Sequence, residues 1–228
     1  LRRALNMGLD KDIIADKVMA QGQRPAWVIS QPEIGGVKLS PPDYSTWPRE
    51  KRLAEAKKLL NEAGFNEAHP LSFNLLYNTM ETHQRIAIAA SSMWKKNLGV
   101  EAKLQNQEWK TMLDTMHTGN FDAVRYAWIA DYDDAATFLN NFRTGSSENT
   151  SKYSNSAYDE ALDNAAKAKD VAERGKYYQQ AEDLLARDVP AIPVYHYVRT
   201  HLVKPWVGGF NPDPLGYYLT QDMYIKKH

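Results

Sequence analysis

The spacing of hydrophobic and polar residues changes between two periods along this chain of 228 residues. Apolar residues recur every three or four positions where helices are expected, and every second position or in short runs where strands are expected. The helical spacing covers residues 1–7, 48–64, 79–97, 108–117, 157–166 and 170–186. The strand-like pattern covers residues 71–77, 100–106, 121–128 and 190–198. Strands that alternate with helices predict an α/β fold, with a largely parallel or mixed sheet flanked by helices.

Two segments carry neither period. Residues 21–48 contain five prolines and two adjacent glycines, so we expect an irregular path there. From His201 onward, prolines and glycines again interrupt the pattern among several aromatic residues. We therefore predict one lobe over residues 1–198 and a tail over residues 199–228 that leaves this lobe.

Composition removes several classes of partner and chemistry. Lysines and arginines total 28, as do the acids, whereas a nucleic acid or an acidic membrane favours a basic surface. The chain has no cysteine, which excludes disulfides, thiol catalysis and cysteine-bound metals. No apolar run approaches a membrane span in length, so we expect no membrane insertion. The sequence begins at Leu1 inside a helical pattern, and we expect it to be a piece of a longer protein whose targeting it does not reveal.

Residues 121–142, FDAVRYAWIADYDDAATFLNNF, hold the most informative charges. Arg125 lies inside a predicted strand and offers a planar fork to a carboxylate, while Asp131 offers a carboxylate to an ammonium. Together they suit a zwitterion such as an amino acid or a short peptide. A fully extended chain would separate them by about 20 Å, so a bend after Trp128 is needed to reach the length of a tripeptide. The alternative is an internal salt bridge between Arg125 and Asp131.

The same strand offers backbone as well as charge. Strict alternation predicts two faces, one with Arg125, Ala127 and Ile129, the other with Val124, Tyr126 and Trp128. The backbone of Ala127 and Ile129 could pair with an extended ligand as an added strand. That mode of binding would tolerate many side chains on the ligand.

Three other segments contain residues suited to the same site. Asn78 ends a predicted strand, and His83 follows one helical turn later. Trp109 begins a predicted helix, and Tyr197 lies in the run IPVYHY. We predict that Asn78, Trp109, Trp128 and Tyr197 line a pocket, although core packing is the commoner role of an aromatic residue.

Catalytic and metal motifs are missing from the sequence. It contains no G-x-S-x-G, no P-loop and no H-E-x-x-H. An EF-hand loop starting at Asp131 would need glycine where Ala136 stands and glutamate where Phe142 stands. A pair of carboxylates, Glu108 and Asp131, would suit a glycosidase, but nothing nearby supports it. We expect no enzyme, no cofactor and no metal.

Several segments together carry a resemblance: AQGQRPAW, HPLSFNLLYNT, NQEWKTMLDT, VRYAWIADYDDAATFLNNF and VPAIPVYHYVRTHLVKPW. They resemble the periplasmic oligopeptide-binding proteins of ABC importers, solute-binding protein family 5, over essentially the whole chain. The resemblance implies that Asp131 holds the α-ammonium of a peptide. It also implies that Arg125 or His83 meets the carboxylate of shorter or longer peptides, and that Asn78, Trp109, Trp128 and Tyr197 lie along its side-chain pockets.

The resemblance also implies a location and partners. The chain would be the C-terminal lobe of a monomeric, two-lobed periplasmic protein, with the tail returning to the other lobe. It would capture short peptides and deliver them to an inner-membrane ABC permease. Met19 and Met116 stand where generalist binders tend to have basic residues, which favours the branch that binds murein tripeptide, L-Ala-γ-D-Glu-meso-diaminopimelate. The alternatives are a general oligopeptide binder, a cell-wall peptide or sugar hydrolase, and an interaction module built on the tail aromatics.

Overall fold

The computed structural model describes residues 1–213 and 215–227, and seven short or medium strands run through them. In chain order these are β1 (Arg24–Pro25), β2 (Ser72–Asn78), β3 (Glu101–Gln107), β4 (Ala123–Val124), β5 (Tyr195–His196), β6 (Val207–Gly208) and β7 (Tyr224–Ile225). The α-helices are α1 (Arg2–Gly8), α2 (Lys11–Ile13), α3 (Arg49–Glu62), α4 (Glu81–Leu98), α5 (Trp109–Thr118), α6 (Ala136–Leu139), α7 (Ser156–Lys167) and α8 (Val171–Asp188). A π-helix spans Ile14–Met19, and 3-10 turns span Ile34–Gly36, Asp43–Thr46, Asn140–Phe142 and Thr220–Asp222.

A parallel sheet in the order β3-β2-β4 forms the centre of the fold. Parallel strands need a crossover connection: α4 connects the neighbours β2 and β3, and α5 connects β3 to β4 on the other side of β2. The register of β2 and β3 runs from Ser72 opposite Glu101 to Asn78 opposite Gln107. The α/β fold predicted from the sequence is confirmed, and β2 and β3 lie within one residue of the predicted strands. Their carboxyl ends bring Asn78 and the start of α5 to the same edge.

The predicted strand over residues 121–128 is wrong for most of its length. Only β4 pairs with β2, and the last ladder bond runs from the Arg125 amide to the Leu76 carbonyl at 2.7 Å. Beyond this point the side chains find partners outside the sheet, because Tyr126 stacks on Trp109 and Trp128 packs among the helices α6 to α8. The chain therefore leaves the sheet at Arg125.

The predicted strand over residues 190–198 is also shorter than expected. Only β5 forms a ladder, and its antiparallel partner is β1, within the segment expected to be irregular. Pro190 and Pro193 lack the amide hydrogen that a ladder needs. This two-stranded ribbon holds the 190–198 segment alongside the sheet rather than within it.

Two large hydrophobic clusters support the fold. The first packs α1, α3 and α4 against β2, with Met7, Ile14, Leu75, Trp94 and Val100 among its buried members. The second lies between α6, α7 and α8 and the 34–39 segment, and it includes Leu139, Tyr158 and Leu185. Two hydrogen bonds attach the chain before the 34–39 segment to α8, since the Glu182 carboxylate accepts from the Ile29 and Ser30 amides at 3.0 and 2.7 Å.

Helix ends are fixed by the side chains that the sequence places there. The Asp10 carboxylate accepts from the Ile13 amide at 3.1 Å, as expected of an N-cap. The Asn155 side chain caps α7 and the Asp170 side chain caps α8 in the same way. These caps fix where α7 and α8 start, and α8 in turn carries the side chains that hold the site.

In the tail, β6 and β7 form an antiparallel ribbon. The ring of Tyr224 covers Gly208, and an Arg199 nitrogen donates to the Gly216 carbonyl at 3.1 Å. Several large apolar side chains of this segment are exposed, including Leu202, Tyr217, Leu219, Tyr224 and Ile225. Pro214 and His228, which belong to the predicted tail, lie outside the described residues.

Candidate functional site

A cleft of about 1610 Å³ opens beside the parallel sheet. The 121–130 segment forms one wall and the 188–199 segment another, and residues of the 24–32 segment also contribute. Five of the predicted site residues line it: Arg125, Ala127, Trp128, Ile129 and Tyr197. Residues of both faces predicted for the 121–128 strand line this cleft, since Val124 of β4 and Tyr126, which follows the point where the chain leaves the sheet, are both in the lining. Of the described residues, Asn78, His83, Trp109 and Asp131 lie outside the lining.

The guanidinium of Arg125 is held by two tyrosine hydroxyls. One of its nitrogens donates to the Tyr195 hydroxyl at 3.4 Å and to the Tyr197 hydroxyl more closely. The centre of the guanidinium also lies 5.9 Å from the centre of the Tyr197 ring. Among the described residues, no ion pair includes Arg125 or Asp131. The internal salt bridge considered from the sequence is therefore not formed, and the half-buried charge can meet a ligand carboxylate.

Asp131 lies in the turn that precedes α6, with its side chain exposed. Its amide donates to the Thr137 hydroxyl at 2.9 Å, and that hydroxyl lies 3.3 Å from one oxygen of its carboxylate. The rest of the carboxylate faces outward. A group in this position can accept hydrogen bonds from an ammonium.

The other two acids of the turn are already occupied. Asp133 accepts from the Gly35 amide at 2.8 Å. Asp134 accepts from the Ala136 amide at 2.9 Å and the Tyr178 hydroxyl at 2.5 Å, and pairs with Arg174 at 3.2 Å. Of the three acids, Asp134 is therefore the one whose carboxylate bonds to an amide at the start of α6.

His83 and Asn78 form a buried pair close enough to Arg125 to feel its charge. The imidazole Nδ1 lies 2.6 Å from the Asn78 side-chain oxygen, and both residues are less than 10% exposed. Burial, with a smaller contribution from the charge of Arg125, lowers the pKa of His83 to about 4. Nδ1 must carry the proton that the amide oxygen accepts, so at neutral pH His83 is an uncharged group with Nε2 as an acceptor.

The predicted aromatic walls divide into two kinds. Trp109 is exposed and stacks on Tyr126, with ring centres 6.3 Å apart and planes inclined by 9°. Trp128 is half-buried against the second hydrophobic cluster, and its indole nitrogen is buried with no partner among the described residues. Trp109 and Tyr126 present a flat apolar surface, whereas Trp128 also has the core role that was its alternative.

Several residues expected to matter have other roles. The Glu108 carboxylate accepts from the Lys110 amide at 2.8 Å and caps α5. Met19 is buried in the first cluster, and Met116 packs with Leu76 and Met112 in a smaller one. Both methionines are inside the protein, so neither side chain reaches a ligand, and the structure adds no support to the sequence argument drawn from them.

Sequence reasoning missed three residues that shape the site. Tyr195 could have been found, because alternation in YHY places it on the same side as Tyr197. Thr137 and Glu182 gave no signal, since their roles depend on partners brought close only by the fold. The described residues contain no cluster of three or more potential metal ligands of the His, Cys, Asp or Glu type. No helix within the described part of the chain combines the length and apolar character required to cross a membrane.

Comparison with known proteins gives a consistent result. A sequence model of the bacterial extracellular solute-binding proteins, family 5 Middle, matches residues 1–150. The periplasmic oligopeptide-binding protein OppA of Escherichia coli (strain K12) is 50% identical over the whole chain, which covers 42% of that protein. The periplasmic murein peptide-binding protein MppA of the same organism is 43% identical, and the chain covers 43% of it. The chain thus spans about two fifths of these relatives.

Solved structures agree with the sequence relatives. The structure of the Escherichia coli murein tripeptide binding protein MppA matches with a TM-score of 0.91 at 42% identity, covering all of this chain and 45% of the other. The structure of Haemophilus influenzae OppA in complex with RPPGFSPFR matches with a TM-score of 0.89 at 44% identity, covering 99% of this chain and 45% of the other. This chain belongs to family 5 of the bacterial extracellular solute-binding proteins.

Proposed function

We propose that this chain is the peptide-binding C-terminal lobe of a solute-binding protein that captures short peptides for an ABC-type permease. The observation that carries the proposal is a pair of available charges on one segment, Arg125 in the lining of the cleft and Asp131 just beyond the 121–130 wall. The Arg125 guanidinium has only tyrosine hydroxyls as partners, and the Asp131 carboxylate faces outward. Opposite charges in one site suit the two ends of a peptide, and each would gain a charged partner on binding.

The names of the relatives support the same class of ligand. OppA is named as an oligopeptide-binding protein and MppA as a murein peptide-binding protein, and both are described as periplasmic. By extension, we propose a periplasmic location and a monomeric protein that binds its ligand without chemical turnover. Glu108 is engaged in capping α5, which weighs against a hydrolase that uses it with Asp131.

The relatives and the buried methionines bear on the choice between murein tripeptide and general oligopeptides. Sequence identity is higher with OppA, at 50%, than with MppA, at 43%. The argument from Met19 and Met116 gains no support from the structure, because both are buried. Murein tripeptide carries extra carboxylates that need positive partners, and Arg125 is one such partner. We propose short peptides as the ligand class, with murein tripeptide as one candidate and unmodified oligopeptides as the alternative.

The proposed mechanism is closure of two lobes by hinge motion around the peptide. This chain would supply residues 1–198 as one lobe, and residues 199–228 would return to the other. The exposed apolar side chains of the tail are consistent with a covering partner. Closure would remove water from Asp131 and Arg125, which strengthens their interaction with the ligand charges.

Calorimetric titration of the complete protein tests the proposal. We would titrate L-Ala-γ-D-Glu-meso-diaminopimelate and Lys-Ala-Lys into the wild type, Asp131→Ala and Arg125→Ala. Loss of one partner of a buried charge pair costs about 3–5 kcal/mol, so affinity should fall by about two to four decades. Asp16→Ala, which removes an exposed acid that does not line the cleft, is the matched control and should bind normally.

Two further measurements complete the test. Mass spectrometry should recover the peptide intact after incubation, whereas cleavage would favour the hydrolase. The isolated chain should bind much more weakly than the complete protein, because half of the contacts and the closure are gone. Wild-type affinity in Asp131→Ala would refute the proposed site.

A further inference from the structure

Thr137 makes an unusual pair of contacts with Asp131. The residue is only 3% exposed, and it lies in α6. Its hydroxyl accepts a hydrogen bond from the Asp131 amide at 2.9 Å and donates one to a carboxylate oxygen of the same residue at 3.3 Å. A hydroxyl can accept and donate at once, so both contacts can exist together. The two bonds restrict both the backbone and the side chain of Asp131.

A second set of contacts, through Asp134, fixes the position of Thr137 itself. Its amide donates to the Asp134 carbonyl at 3.1 Å. The Asp134 carboxylate is in turn held by the Tyr178 hydroxyl at 2.5 Å and by Arg174 at 3.2 Å, both from α8. The contacts form a continuous series from the rigid helix α8, through Asp134 and Thr137, to Asp131.

From this geometry we infer that Thr137 is a positioning residue for ligand binding, which sets the Asp131 carboxylate toward the peptide ammonium. The inference rests on the proposed function, in which Asp131 binds that ammonium. A carboxylate already held in its bound orientation loses less conformational freedom when the ligand arrives, so affinity rises without any new contact to the ligand. Asp134, itself held by Tyr178, supports Thr137 in turn.

The side chain of threonine allows a sharp test, because valine has nearly the same shape without the hydroxyl. Thr137→Val should preserve packing but lose both hydrogen bonds to Asp131. Thr137→Ser keeps the hydroxyl and loses only a methyl group, so it serves as the conservative control. Affinity of the complete protein for Lys-Ala-Lys should fall about tenfold in Thr137→Val and less than about threefold in Thr137→Ser.

A double-mutant cycle separates positioning from a general loss of structure. If Thr137 acts through Asp131, the effect of Thr137→Val should disappear when Asp131→Asn is already present. It should likewise be small for N-acetyl-Lys-Ala-Lys, which has no α-ammonium. An equal loss in both backgrounds, or unchanged affinity in Thr137→Val, would overturn the inference.

Two controls keep the inference and the proposed function distinct. If Asp131→Asn alone binds like the wild type, the proposed function fails, whatever Thr137 does. If Asp131→Asn weakens binding but Thr137→Val does not, only the inference fails. Should Thr137→Val not fold, Tyr178→Phe removes the hydroxyl that holds Asp134 while keeping its ring. It should weaken binding about threefold, and only where Asp131 is present.

Discussion

The hydroxyl of Tyr197 accepts a hydrogen bond from the guanidinium of Arg125, a residue 72 positions earlier in the chain. This contact connects the 121–130 wall of the cleft to the 188–199 wall. A neutral acceptor orients the guanidinium without cancelling its charge. Arg125 can therefore be both held in place and available to a ligand carboxylate.

Replacing Tyr197 by phenylalanine should weaken tripeptide binding in the complete protein by about threefold to tenfold, because Arg125 loses its closer anchor. Tyr195→Phe is the matched control, since its hydroxyl lies at 3.4 Å from the same nitrogen and should matter less. Both variants keep the aromatic ring. Calorimetric titration would measure the two affinities, and a larger loss in Tyr195→Phe would contradict this account.

Binding of longer peptides should depend on pH through His83. The pKa of His83 is lowered to about 4, mainly by burial, so the side chain is neutral at pH 7. If His83 meets the carboxylate of a tetrapeptide, its protonated form is the better partner, and affinity should rise as pH falls from 7 toward 5. In His83→Gln this rise should be absent. Titrations at pH 7, 6 and 5 would test this, with a tripeptide as the control ligand.

Stability of the protein should decrease in acid because of His196. Burial, assisted by the charges of Arg24 and Lys11, lowers the pKa of His196 from 6.5 to about 4. Between these values the unfolded chain binds the proton and the folded chain does not, so the free energy of unfolding falls as pH falls from 6.5 to 4.

Urea unfolding at several pH values in that window measures the effect, with His196→Gln compared against the wild type. The variant should show a shallower decline, and carboxyl groups that titrate in both proteins cancel in the difference. His69→Gln is the matched control because that histidine is exposed. Parallel curves for the wild type and His196→Gln would exclude this contribution.

Glu182→Gln should lower the free energy of unfolding by about 1–3 kcal/mol. Each carboxylate oxygen of Glu182 accepts from one backbone amide, of Ile29 or Ser30, and the side chain is 2% exposed. A glutamine offers only one oxygen, so one amide would be left facing an NH₂ group. The neighbouring exposed acid supplies the control, since Asp183→Asn should stay within about 0.5 kcal/mol of the wild type. Equal stability of both variants would refute the role of Glu182.

The sequence predicted the regular elements better than the pairing between them. The strands β2 and β3 and the helices around them follow strong local periods, which survive in the fold because they reflect burial. The ladder between β1 and β5 involves only two residues on each side. Nothing in the dipeptides RP and YH identifies a partner about 170 positions away in the sequence. Such pairing is decided by the packing of the whole chain.

In the candidate site, too, the sequence predicted individual residues better than the contacts between them. Arg125 and Asp131 could be selected because charges of opposite sign near a strand end are chemically distinctive. The surroundings of these two charges could not be predicted from the sequence. Tyr126 and Trp128 leave the sheet because they contact Trp109 and the helices of the second cluster. The burial of His83 and of the two methionines likewise depends on neighbours that are distant in sequence.

The bond from the Gly35 amide to Asp133 has a consequence for the order in which the protein forms. It joins positions 98 residues apart, and Gly35 adopts a left-handed conformation so close to the turn that a Cβ atom would lie 3.1 Å from the Asp133 carbonyl oxygen. The same turn also needs Arg174 and Tyr178. A growing polypeptide cannot complete it until α8 has been synthesised, and contacts of such long range form late because their loop-closure entropy must be overcome first. We therefore expect the acidic turn to acquire its native shape only after α8 has packed against it.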